Sequence, residues 1–224
     1  MASHSDVLKM EANGSRLSKL IINKGTQALR ETLQSLIKPL NLAAKLHDPS
    51  TMKILISLKR KVISEENWDR LYPAVGSPDV ENFSIPLLVI LLRNICGLNP
   101  PATGWYGLPP HSDSSISSNI ARIRFFRNKV IGHIATTSLN DSKFEYLWKE
   151  ISKALVGLGI QQAEIDELKY GPLSPHEAYY REMLKDLQTT PEMDVPGKVF
   201  SYIDMPNDFL HVKILEFDKP FRKT

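Results

Sequence analysis

SIPLLVILLRNIC, residues 84–96, constrains the fold more than any other stretch of the chain. It is apolar nearly all round, so a helix formed there has no face to offer water and must lie centrally, with other elements around it. Ser84 ahead of it and Pro86 in its first turn are helix start signals. The apolar run stops at Arg93 and Asn94, far short of the roughly 20 residues needed to cross a bilayer. The segment therefore reads as a core helix, and no membrane partner is expected. With 224 residues, the chain is long enough to bury a core around that helix without covalent staples.

The rest of the sequence supplies helices to surround it. From Ser15 to Ile37, apolar residues recur at Leu17, Leu20, Ile21, Ala28, Leu29, Leu33 and Leu36, spacings of three and four that predict one helix ended by Pro39. A short piece spans Leu40 to Leu46. Asp48-Pro49-Ser50 then breaks the chain and caps TMKILISLKR, and Ser64 caps EENWDRLY. Residues 97–113, GLNPPATGWYGLPPHSD, form a loop rich in Pro and Gly and long enough to be ordered by its own Trp105 and Tyr106. Asp113 is the expected cap of a helix whose buried stripe is Ile116, Ile120, Ile123, Phe126, Val130 and Ile134. A further helix from Asp141 buries Phe144, Leu147, Trp148, Ile151 and Leu155 and closes at Gly157 and Gly159. QQAEIDELKY is a polar helix, and Ser174-Pro175 opens a last one through Leu187. Beyond it, KVFSYI and HVKILEF resemble short strands. The expected organisation is a flexible N-terminus (1–11), a helical domain (12–170), a C-terminal helix (171–189) and a tail of unknown order (190–224). The fold class is all-α, a helical bundle with short extra helices and an irregular or short-strand C-terminal tail.

Charge and cysteine content narrow the function classes. The 28 basic and 25 acidic residues leave a net charge of +3, too mild to call for a nucleic-acid partner by itself. A single cysteine, Cys96, makes no intrachain disulfide, and the first residues lack an apolar signal segment, so a cytoplasmic setting is expected. His47, His111, His133, His176 and His211 are scattered without ligand spacing, and no metal or cofactor is expected. KRK at 59–61 reads as a solvated helix end.

The informative stretch is RFFRNKVIGH, residues 124–133. At about 100° per residue, Arg127 and His133 lie about 120° apart around a helix and about 9 Å along it, one at each border of the apolar stripe. Arg122, Lys129 and His133 share a meridian, so positive charge lines up with the histidine. Gly132 costs about 1 kcal/mol in a helix interior. Two readings stay open on these residues: Arg127 and His133 converge on a ligand, or Arg127 pairs with a carboxylate such as Glu145 or Glu150 and His133 is structural. Arg93-Asn94 repeats the Arg-Asn pair, yet position 99 is Asn where the second copy has His133. Arg93 therefore reads as structural, tied to a carboxylate or to loop carbonyls. Trp105 and Tyr106 read as pins of their loop more than as platforms for bases.

RNKVIGH resembles the motif of the HEPN superfamily, small helical domains many of which are metal-independent endoribonucleases. The wider run, from GSRLSKLIINKGTQALRETL through NWDRLYPAVG, FSIPLLVILLRNICGLNPPATGW, SSNIARIRFFRNKVIGHI and FEYLWKEISKALVGLG, resembles the HEPN branch named for the DAZ-interacting zinc-finger ubiquitin ligase. The resemblance covers about residues 12–170. That branch occurs largely in animal signalling and immune-type proteins. The resemblance implies a bundle that dimerises with two motif helices facing a shared cleft, with Arg127, Asn128 and His133 as catalytic residues and Arg122, Arg124 and Lys129 as RNA contacts. No RING finger stands in these residues, so ligase activity is not carried over.

Two functions compete at this point. One is a homodimeric, RNA-binding, metal-independent endoribonuclease that cleaves through attack of the 2′-hydroxyl. The other is a non-catalytic dimerisation or protein-interaction module, with partners in a signalling or innate-immune complex. The retained Arg, Asn and His favour the first, and the near-neutral charge favours the second.

Overall fold

In the computed structural model, the elements follow in the order α1 (His4–Lys19), a π-helical turn (Leu20–Gly25), α2 (Thr26–Leu36), α3 (Pro39–His47), α4 (Pro49–Lys59), α5 (Glu65–Leu71), a 3₁₀ turn (Val80–Asn82), α6 (Ile85–Ile95), α7 (Ile116–Ile134), α8 (Asp141–Gly157) and α9 (Gln162–Tyr170). The structure describes residues 4–59, 61–134 and 139–171, and for residues 4, 5, 7, 8 and 129–134 only the backbone. No strand occurs among the described residues, in keeping with the all-α class. The C-terminal helix expected within 171–189 and the tail at 190–224, with its candidate strands, fall outside the described residues beyond Gly171.

Helix α6 is central, as its composition requires. Leu87, Leu88, Leu91 and Leu92 are fully buried, and α2 and α7 pack against it. Each such side chain contributes roughly 1.5–3 kcal/mol on burial. Helices α7 and α8 lie along one another, and α1 packs on both and on α9. Leu42, Leu46, Leu55 and Leu71 extend the core under α3, α4 and α5. There the Tyr72 hydroxyl donates to the Leu46 carbonyl at 2.9 Å. Among the described residues, no helix is long and apolar enough to cross a membrane.

The helix starts follow the chemistry of their caps. The Ser84 hydroxyl accepts from the Leu87 amide at 3.5 Å and Ser64 from Asn67 at 3.3 Å. The Asp48 carboxylate accepts from the Thr51 amide at 3.0 Å and from the Ser50 hydroxyl. Asn140 caps α8 by accepting from Lys143 at 2.9 Å. That helix closes where glycine is needed: Gly159 has φ +103°, and the Ile160 amide returns to the Leu155 carbonyl at 3.1 Å while its side chain is buried. A left-handed residue there satisfies carbonyls that the last turn would leave open.

Two expectations are corrected, at the π-helical turn and at the start of α7. Helix α1 begins at His4, ahead of the helical domain expected from residue 12. Lys9 and Asn13 both bond to Asp141, the latter at 2.9 Å, which ties that turn to the start of α8. The single helix expected over 15–37 is interrupted by the π-helical turn, where Leu20, Ile21, Ile22 and Gly25 are all buried. Three consecutive buried positions do not fit on the stripe of a regular α-helix, and a wider turn spreads them over several neighbours. At α7 the cap is Ser115, whose hydroxyl accepts from Ser118 at 3.2 Å, while Asp113 accepts from the Ser115 amide at 3.0 Å one step earlier. Starting later, α7 leaves Ile116 at its rim, partly exposed, while Ile120, Ile123 and Phe126 are buried as expected.

Candidate functional site

Helix α7 carries every candidate residue, and its first half is fixed by Arg122. That side chain is 2% exposed. One terminal nitrogen donates to the carbonyls of Pro110 and Asp113, at 2.5 and 2.6 Å, and the other donates to the Asn119 amide oxygen at 2.8 Å. Asn119 in turn donates to the Ser114 carbonyl at 3.2 Å. A Cβ at Gly157 would overlap the Asn119 side chain, so the absence of one there lets α8 approach this network closely. Arg122, one of the residues expected to contact RNA, has its terminal donors engaged with the end of the Pro-rich loop and within α7.

One half-turn further along, Arg124 is 7% exposed and its guanidinium carbon lies 4.6 Å from the centroid of the Tyr106 ring. Arg93, at the end of α6, approaches the same ring at 4.7 Å and the Trp105 ring at 5.5 Å. The Pro-rich loop thus lays its two aromatic rings against two arginines from different helices. The partners of Arg93 are rings and not the carboxylate or carbonyls expected for it. Cation–π contacts of this kind contribute roughly 0.5–2 kcal/mol. The pinning role read for Trp105 and Tyr106 agrees with this arrangement, in which Trp105 also packs on the core.

The motif itself comes next. Arg127 is 4% exposed, and its Nη1 donates to Asn128 Oδ1 at 2.9 Å. The two carboxylates that the sequence offered it are engaged elsewhere: Glu145 accepts from Lys169 at 2.6 Å, and Glu150 lies 3.1 Å from His111 Nδ1. Helix α7 continues without interruption to Ile134, so His133 is on the same helix as Arg127 and Asn128. The side chains of Lys129 and His133 fall outside the described residues. The structure therefore sets Arg124, Arg127 and Asn128 on one stretch of α7, places Tyr106 and, across its ring, Arg93 beside Arg124, and turns Arg122 to the Pro-rich loop.

Sequence reasoning missed the assembly of Arg93 with Arg124 through Tyr106. The signal available was the placement of two aromatics in a loop between the two helices that carry Arg-Asn pairs, but spacing alone does not say which ring meets which arginine. Cys96, next to this region, is half-buried, and burial pushes its thiol up to about 11. It is therefore protonated at neutral pH and is no nucleophile there.

Comparison with known proteins follows the same helices. The family model for the DZIP3/hRUL138-like HEPN domain matches residues 39–180. The E3 ubiquitin-protein ligase DZIP3 of Homo sapiens is 28% identical over 179 residues, which cover 75% of this chain and 14% of that protein. The Mus musculus protein of the same name is 30% identical over 118 residues, 52% of this chain and 10% of its own length. The chain thus spans about a seventh or less of the relatives it matches. No solved structure matches it.

Proposed function

Because the chain belongs to the DZIP3/hRUL138-like HEPN family, we propose that it is an RNA-binding domain that cleaves RNA without a metal ion, in a cleft assembled between two copies. The observation that supports this reading most is the motif geometry. Arg127, Asn128 and His133 occupy one continuous helix, and the Arg127 fork is bonded to Asn128 at 2.9 Å. A charged fork oriented by its neighbour, on the helix that also carries a proton-transfer group, is what phosphodiester chemistry requires.

The chemistry divides among these residues. The 2′-hydroxyl oxygen attacks the adjacent phosphorus and loses its proton to one histidine. Negative charge develops on the phosphate oxygens, where Arg127 supplies parallel N–H donors. The bond from phosphorus to the 5′-oxygen breaks, and a second histidine protonates the leaving oxygen. The products are a 2′,3′-cyclic phosphate and a 5′-hydroxyl. Imidazole, with an ordinary pKa near 6.5, suits both proton transfers at neutral pH and is worth typically 10²–10⁴ in rate. One chain offers one such histidine in the motif, so a two-fold dimer that sets two copies of His133 in one cleft completes the pair. Asn128 holds the Arg127 fork. Arg124 and Lys129 contact the RNA backbone, and Arg122 does not. The setting is cytoplasmic.

A second reading is favoured by one observation, the burial of Arg127 at 4% exposure. An arginine enclosed to that degree cements helices as readily as it meets a phosphate, and the domain then acts as a dimerisation or protein-interaction module of a signalling or innate-immune complex. A gel assay separates the two. The purified chain is incubated with single-stranded and structured RNA in EDTA, beside His133→Ala at the same oligomeric state by light scattering. Cleavage by the native chain that falls at least 10²-fold in the variant is the expected result. No cleavage by either, with both forming the same dimer, would establish the interaction module instead.

A further inference from the structure

We propose that Arg93, braced on Trp105 and Tyr106, binds a phosphate of single-stranded RNA and so gives the site a second backbone contact outside the motif helix. This rests on the RNA-binding reading above and extends it to a residue on α6.

The inference begins from a contrast between two arginines of the same neighbourhood. Arg122 does what a purely structural arginine does: its terminal nitrogens are bonded to two loop carbonyls and a side-chain amide. Arg93 is placed differently. Its guanidinium lies 4.7 Å from the Tyr106 centroid and 5.5 Å from that of Trp105. Its Nε is buried without a hydrogen-bond partner, and among the described residues it forms no ion pair. Asn94 beside it donates to the Ile90 carbonyl at 2.7 Å, within its own helix, and so is not turned to the arginine. The rings brace the guanidinium, and among the described residues no hydrogen bond engages the terminal donors of its fork. A guanidinium braced with its fork open is preorganised for a phosphate, whose oxygens it meets in pairs.

The rings also say which part of the RNA is met. Tyr106 already has two guanidiniums within 5 Å of its centroid, those of Arg93 and Arg124. Two guanidiniums compete with a base for that ring, which is 38% exposed, so the aromatic residues serve the arginines and the arginines serve the backbone. The contact is therefore indifferent to sequence. Because Arg93 and Arg124 share one ring, and Arg124 precedes Arg127 by less than a turn of α7, a single short stretch of RNA strand passes from the Arg93 phosphate to the motif.

The test is a salt series of binding measurements by fluorescence polarisation, with the full chain and 5′-labelled 12-residue oligo(U) and oligo(A). For Arg93→Gln, the affinity is expected to fall several-fold for both oligonucleotides alike. The slope of log affinity against log salt should become shallower by about 0.7, the amount for one phosphate contact on a single strand. Arg93→Lys keeps the charge and should restore most of that slope, which a role confined to pinning the loop would not produce. Tyr106→Leu should weaken binding with the slope retained. Circular dichroism and thermal melting accompany each variant; if Arg93→Gln does not fold, Arg93→Lys and Tyr106→Leu carry the decision. Unchanged affinity and slope in a folded Arg93→Gln would overturn the Arg93 site and leave the motif reading standing, whereas no binding by the native chain would remove both. A loss confined to one of the two oligonucleotides would also overturn it, since that points to a base contact.

Discussion

The two Arg-Asn pairs of this chain, Arg93-Asn94 on α6 and Arg127-Asn128 on α7, share a dipeptide and differ in what it does. Asn94 turns its amide back onto its own helix, to the Ile90 carbonyl, and leaves Arg93 to the rings of the Pro-rich loop. Asn128 turns its amide oxygen onto the neighbouring arginine. One pair sits where a helix ends and a loop begins, so the arginine meets loop side chains. The other sits mid-helix in a packed layer, so the arginine finds its partner in the adjacent residue. The dipeptide does not determine the role; the surroundings of each pair do.

The largest effect on this comparison should come from a residue in neither pair. Arg122→Met removes the donors from two loop carbonyls and frees the segment that presents Trp105 and Tyr106 to Arg93. Breaking buried, charge-assisted hydrogen bonds costs on the order of 3 kcal/mol. Urea unfolding should report that loss, and Trp105 emission should shift red in the native state as the loop loosens. A loss under about 0.5 kcal/mol, within the range of ordinary surface substitutions, would mean that the loop is held by its rings alone.

A smaller effect separates the two asparagines directly. Asn128→Ala takes an acceptor from a buried guanidinium and should cost about 1–2 kcal/mol, together with a fall in any RNA cleavage. Asn94→Ala removes only a bond to a carbonyl that the helix already uses, and should cost under about 0.5 kcal/mol. Equal losses in the two variants, measured by the same unfolding curves, would erase the distinction drawn between the pairs.

The smallest effect concerns Asp113, just ahead of the cap of α7. The Ser118 hydroxyl close by and the Ser115 amide hold the Asp113 carboxyl at about 2, below the ordinary value near 3.9. A carboxyl depressed in the folded state stabilises it above the unfolded value, and that contribution is lost as pH falls from about 4 through 2. Carboxyl carbon shifts followed by NMR should show a midpoint near 2 for Asp113, and the stability difference between the native chain and Asp113→Asn should vanish at the acid end. A midpoint near 4 would mean that the Ser115 amide does not engage the carboxylate.

Much of the fold was legible because its signals are local. Ser64 and Ser84 each precede a helix by one residue and accept from its third amide, and the apolar composition of 85–95 leaves the helix no place but the centre. The glycine at 159 closes α8 for a reason visible in one residue. What was hidden depends on distant contacts or on choices among equal neighbours. In the run Ser112-Asp113-Ser114-Ser115, several oxygens can cap, and only the position of Arg122 against the Asp113 carbonyl favours the later start. The π-helical turn leaves spacings of three and four intact on either side, so periodicity does not reveal it. For the candidate site, the order Arg, Asn, His along one helix was readable, whereas the bonds of Arg122 to loop carbonyls and the meeting of Arg93 with Arg124 require the loop to be folded onto them.

The π-helical turn at Leu20–Gly25 has a consequence for how this chain tolerates changes in length. It adds a residue within a continuous helix, which lets α1 pack on α8 while α2 packs on α6. Deleting one residue there would restore a regular winding, and the lost residue would offset the roughly 100° by which the wide turn lags a regular helix, so Leu29 and Leu33 would stay on the core. In homologous chains, single-residue gaps in an alignment should therefore be tolerated at this turn, whereas a deletion elsewhere in α1 or α2 would turn the apolar residues beyond it by about 100°.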